Sequence, residues 1–211
     1  MPFEIRINLD AATSAALEKQ GYALYVLQAF ETTMAQGQAL VWFEAPDPKD
    51  IIQVAFVPPD QAYIGMSVAD VKLGDIATLG EDDNITSSTG GNPRGVTFRN
   101  ATKDPQTAGL AIGGLGSVPM SAVPLDGLGE DIIEPLNTLL LTFSTAGVKP
   151  GETLSQSATQ SLLYKLSGPT AEVAFDINAG WSFGAAPWFR TVEAGEDLST
   201  VLAKQRPLVE V

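Results

Sequence analysis

The 211-residue chain contains no cysteine and no histidine, and only 12 Lys and Arg stand against 25 Asp and Glu. Without thiols there is no disulfide, no thiolate nucleophile, no iron–sulfur cluster and no thiolate zinc site. Without imidazole there is no Ser-His-Asp triad and no histidine metal ligand. What survives is carboxylate chemistry, lysine- or tyrosine-based chemistry, and hard cations held by oxygen. The net charge of −13 disfavours a phosphate backbone, because nucleic-acid affinity rests on clustered Lys and Arg and here the basic residues stand singly. No nucleic-acid partner is expected. No run approaches the ~18 uninterrupted apolar residues of a membrane-spanning helix. The opening MPFEIR lacks the basic-then-apolar order of a secretory signal. A cytoplasmic protein is expected, with signal-independent release as the other route.

What is present is 45% hydrophobic and only 18% charged, enough apolar mass for a core and too little charge for a disordered tail. Twenty Gly and 14 Pro break the chain at short intervals. Residues 3–9 alternate Phe3/Ile5/Ile7/Leu9 with Glu4/Arg6/Asn8, the period of a half-buried strand. Asp10 then caps an Ala-rich helix over 11–20, which Gly21 ends. Residues 22–33 and 38–44 read as a hairpin closed over 34–37, and 51–57 and 63–71 read as further strands. The polar 81–95 reads as an exposed loop or a ragged hairpin, and the Gly- and Pro-broken 113–129 as a crossing segment. Residues 96–100, 108–112, 139–145, 153–157, 161–166 and 171–177 complete the strands, while Glu130-Asp131 and Glu196-Asp197 open short helical stretches. This cadence predicts an all-β sandwich, or a barrel-like form, with one or two short helices.

Landmarks recur in the same order in the two halves. Leu9-Asp10 matches Leu125-Asp126, Phe30-Glu31-Thr32 matches Phe143-Ser144-Thr145, and Val54-Ala55-Phe56 matches Val173-Ala174-Phe175. The run over 71–79 matches 192–201 with one residue inserted. A pseudo-two-fold duplication follows, with a first half over 1–118 that carries an added segment at 81–118, and a second half over 119–211, packed as one unit. The runs GYALY and LVWF, at 21–25 and 40–43, together with DINAGWSFG at 176–184, resemble uncharacterised β proteins of similar size from fungi and bacteria. That resemblance brings no activity, cofactor or catalytic residue with it.

Three places are candidates for chemistry. Trp181, Phe183, Trp188 and Phe189 crowd a stretch loosened by Gly180, Gly184 and Pro187. Indole planes stack on sugars when exposed and fill cores when buried. Trp181, Trp188 and Phe189, with Tyr63, are the expected ligand-binding residues. Glu81, Asp82 and Asp83 form a weak calcium candidate, since their spacing lacks the alternation that aims several carboxylates at one point. The segment 109–129 contains Gly113-Gly114-Leu115-Gly116 but no lysine, so it makes no phosphate-binding loop. No cofactor, metal or catalytic residue is otherwise implied.

The expected function is therefore non-catalytic: a β-sandwich binding protein with lectin-like recognition of a glycan or a small neutral ligand. A self-assembling homo-oligomer, a membrane-active, toxin-like protein and a carboxylate-based hydrolase with two facing acids in a cleft are the alternatives, in that order. The second is disfavoured because the −13 charge is repelled by anionic lipid.

Overall fold

The structure, a computed structural model, describes residues 3–33, 37–114, 116–184 and 189–206. The first part of the chain forms β1 (Phe3–Leu9), helix α1 (Ala11–Gln20), β2 (Ala23–Thr32), β3 (Gln38–Ala39), β4 (Val41–Ala45) and β5 (Ile51–Phe56). Next come β6 (Gln61–Ile64), β7 (Ser67–Asp70), β8 (Asp75–Leu79), β9 (Ile85–Thr89), β10 (Val96–Asn100) and β11 (Gln106–Ile112). Strands β12 (Val118–Pro119), β13 (Ser121–Leu125), β14 (Glu130–Ser144), β15 (Ser161–Lys165) and β16 (Thr170–Asp176) follow. The chain ends with β17 (Gly180–Phe183), β18 (Phe189–Val192), helix α2 (Leu198–Leu202) and β19 (Ala203–Gln205). The fold is all-β and sandwich-like, with no closed barrel among the described residues. Among them no helix is long and apolar enough to cross a membrane.

The strands gather into two compact units, each assembled from three chain segments. Unit 1 takes 1–27, 41–58 and 137–198, and unit 2 takes 28–40, 59–136 and 199–211. Neither coincides with 1–118 or 119–211, and the long strands β2 and β14 contribute to both.

Unit 1 has two β layers. One is a four-stranded sheet in the order β17-β16-β1-β5, with β1 parallel to β16 and antiparallel to β5. The other contains the hairpins β2/β4 and β14/β15, with β18 beside β15. The layers meet through aromatic rings. Phe143 of β14 lies 4.7 Å from Phe175 of β16, and Trp42 of β4 lies 5.5 Å edge-on from Phe56 of β5. The alternation read at 3–9 is realised here, since Ile5 and Ile7 are fully buried while Glu4 and Arg6 face solvent.

Unit 2 pairs β3-β13-β11-β6-β7 as one sheet and β14-β10-β8-β9 as a second. Phe98 of β10, Val123 of β13 and Ile64 of β6 are buried in its core. The region 63–71 is not one strand but the hairpin β6/β7, because Gly65 takes φ +60° and turns the chain. Part of 81–95 is strand: 85–89 pairs back on β8, Leu79 opposite Ile85. Glu130-Asp131 begins strand β14 rather than a helix, and 153–157 forms no strand.

The repeat landmarks diverge in structure. The hairpins β2/β4 and β14/β15 correspond, and the two Val-Ala-Phe strands, β5 and β16, flank β1 on opposite sides. At the last landmark 75–79 is strand, whereas 198–202 is helix. The apolar period differs between the two: Leu198, Val201 and Leu202 are buried at helical spacing, where Ala77 and Leu79 alternate.

Candidate functional site

Of the aromatic residues expected to form a platform near the C-terminus, Trp181 is buried. Trp181 is 7% exposed, stacks on Phe143 at 5.7 Å, and lies 5.0 Å from Phe175. Its indole N–H donates to the Gln160 carbonyl oxygen at 2.9 Å. Strand alternation turns it inward while Ser182 points out, so Trp181 is a core residue and is withdrawn as a ligand contact. Phe189 is 44% exposed and packs on Phe183. Trp188 lies outside the described residues. Tyr63, in unit 2, is half-buried and its hydroxyl donates to the Ser121 carbonyl oxygen at 2.7 Å. Burial pushes that hydroxyl up to about 12. It, too, is a structural group.

The acidic loop is a turn. The Asn84 side-chain amide and then its backbone amide donate to Asp82 and hold its carboxyl below the usual range. Glu81, Asp82 and Asp83 are exposed, and among the described residues no group of three or more carboxylates is placed to hold a metal ion.

A different place gathers polar chemistry. In unit 1, the start of α1 and the β16–β17 turn border a cleft of about 540 Å³, within the range of ~300–1,000 Å³ that small-ligand sites occupy. Asp10, Thr13, Tyr22, Thr159, Asp176 and Asn178 line it, and among the described residues no Lys or Arg does. The backbone positions each acid. Asp10 Oδ1 accepts the Thr13 amide at 2.6 Å as the helix N-cap. Asp176 Oδ1 accepts the amides of Asn178 and Ala179, both at 2.8 Å, in a tight turn ended by Gly180 at φ +81°.

The two walls are tied together: the Ile177 amide donates to the buried Thr13 hydroxyl at 3.3 Å. Gly21, left-handed at φ +71°, ends α1 and delivers Tyr22 to the cleft. The Thr13 amide and then its hydroxyl hold the Asp10 carboxyl below the ordinary carboxylate range. At neutral pH Asp10 is thus an acceptor, not a proton donor.

Unit 2 carries a second cleft of about 500 Å³, bordered by Gln38, Thr107, Pro124 and Thr200, with no ionisable group and no aromatic ring among the described residues that line it. The sequence reading recognised Asp10 only as a cap and passed over Tyr22, Asp176 and Asn178 as site residues. The available signal was local, an Asp before a helix and an Asp-x-Asn-x-Gly turn, and nothing in the sequence brings the two together. No protein-family model, no curated protein and no solved structure matches this chain.

Proposed function

We propose that this protein is a non-catalytic binding protein that takes a neutral, hydroxyl-rich ligand, such as a short glycan, in the cleft of unit 1. The carrying observation is the pair of backbone-anchored carboxylates, Asp10 and Asp176, lining one cleft with Tyr22 and Asn178 and no basic side chain. Carboxylate oxygens accept from sugar hydroxyls, the Asn178 amide can donate as well as accept, and a tyrosine ring covers the C–H face of a pyranose. The absence of cations from the lining disfavours anionic ligands, which would leave their charge unpaired beside two carboxylates. Because helix cap and turn fix both acids beforehand, binding orders little of the protein.

Calorimetric titration of neutral oligosaccharides into the wild type and into Tyr22→Ala and Asn178→Ala tests this reading. Each variant should weaken binding roughly three- to tenfold, the loss of one contact of about 0.5–1.5 kcal/mol. No heat from any sugar of the panel, or an affinity unchanged in both variants, refutes it.

A further inference from the structure

We propose that strand β5 is a self-pairing edge, and that two copies of this chain join there antiparallel about a two-fold axis through Val54. Strand β5 ends its sheet: among the described residues β1 is its one partner. The Leu9 amide donates to the Asp50 carbonyl oxygen at 2.8 Å, which fixes the parity of the ladder. Even-numbered residues of β5 therefore turn their main-chain groups to β1, and Ile51, Gln53, Ala55 and Val57 turn theirs to the open side. The Glu4 amide, which donates across to Pro169 on the far side of β1, agrees with that parity.

Edge strands are usually blunted by charge or by an internal proline. Residues 51–57 (IIQVAFV) carry neither. Their outward side chains are uncharged, and the two large apolar ones are open to solvent, Ile51 at 49% and Val57 at 45%.

The strand is complementary to itself. With the axis at Val54, Ile51 opposes Val57 of the second copy, Gln53 opposes Ala55, and Ile52 opposes Phe56, while Val54 meets itself. Among axes along the strand, only this one matches all four outward-facing residues with one another. Four opposed pairs that each exchange two main-chain bonds make about eight hydrogen bonds. Asp50 and Lys49 then face Pro58 and Pro59, so no like charges meet. Each exposed apolar side chain covers the other, and the two four-stranded sheets become one. The interface is isologous, as a closed dimer requires.

Light scattering after size exclusion, over a concentration series, should give twice the chain mass of 22.2 kDa. Ala55→Pro deletes an outward amide and should return the single-chain mass with an unchanged circular dichroism spectrum. A second test does not rely on that variant folding. Because the chain has no cysteine, mixing Gln53→Cys with Ala55→Cys under oxidation should give a disulfide-linked pair, and either alone should give far less. A single-chain mass at every concentration overturns the proposal, as does a dimer indifferent to Ala55→Pro in which the mixed cysteines fail to link.

Discussion

Tyr63 lies across Gly109, its cross-strand partner, and reaches over it to hydrogen-bond the Ser121 carbonyl oxygen at 2.7 Å. One side chain thereby ties three neighbouring strands, β6, β11 and β13. A Cβ at position 109 would stand 2.6 Å from a Tyr63 ring carbon and overlap the Ser121 oxygen. The glycine is there for the close approach, not for its backbone freedom. Gly109→Ala should cost about 1–3 kcal/mol by forcing ring and strand apart, and Tyr63→Phe about 1 kcal/mol for the lost bond. Urea denaturation of both variants measures this; a neutral Gly109→Ala would show that the ring does not rest there.

The same residue should set an alkaline limit. Tyr63 titrates near 12 when folded, against an ordinary value of 10.0. Because the folded value is raised, its contribution to stability is complete below pH 10 and is lost as pH rises through 12. Burial, and then the Glu44 carboxylate, also raises Tyr25, so ultraviolet titration should find more than one tyrosine ionising late, and Tyr63→Phe should remove one of them.

Trp181 closes an aromatic cluster with Phe143 and Phe175 and has its N–H satisfied by Gln160. Trp181→Ala should cost about 3–5 kcal/mol through cavity formation. Trp181→Phe should cost less, because it keeps a ring against Phe143. Thermal melts of the two variants decide the order. Equal melting temperatures for wild type and Trp181→Ala would contradict the buried assignment.

The helix cap at the cleft has a pH signature. Asp10 sits below its ordinary 3.8 because the Thr13 amide, and then the Thr13 hydroxyl, donate to it. A lowered folded value means that its contribution is present above about pH 3.8 and is lost as pH falls through the folded value. Asp10→Asn should keep most of the stability and lose this acid dependence, since Asn caps as well as Asp. Carbon-13 titration of the Asp10 carboxyl checks the direction; a midpoint above 3.8 would contradict it.

What was legible in the sequence followed from period and punctuation. Ile5/Ile7/Leu9 alternation marked β1, and Asp10 with Gly21 marked both ends of α1, because those signals are local. The 85–89 strand was legible only as the ragged-hairpin alternative for 81–95, because its partner, β8, rather than its own polar Thr and Ser residues, makes it a strand. The cleft was hidden for a stronger reason: Asp10 and Asp176 lie 166 positions apart, and only the parallel pairing of β1 with β16, Leu9 opposite Phe175, sets the strand ends that carry them side by side. Trp181 misled because an indole next to glycines looks the same in sequence whether its strand face is inner or outer.

Asp131 is 1% exposed and has four donors around its carboxylate. Thr32 donates its hydroxyl at 2.6 Å, Thr33 its amide at 3.0 Å and also its hydroxyl, and Ile132 its amide at 2.7 Å. No Lys or Arg pairs with it among the described residues. The end of β2 and the start of β14 are therefore joined by hydrogen bonds rather than by an ion pair. Three of the donors converge on Oδ1, and only the Thr32 hydroxyl reaches Oδ2. An asparagine can keep its carbonyl at Oδ1 and present its NH2 where Oδ2 was, with the Thr32 hydroxyl rotating to accept. Asp131→Asn should consequently cost only about 1 kcal/mol, whereas Asp131→Ala takes the carboxylate from the Thr33 amide and leaves the Ile132 amide only the Thr33 hydroxyl oxygen at 3.2 Å, and should cost roughly 3 kcal/mol. Denaturant midpoints for the pair measure the difference. If the asparagine proved as damaging as the alanine, the negative charge itself, and not the count of acceptors, would be what holds these strands together.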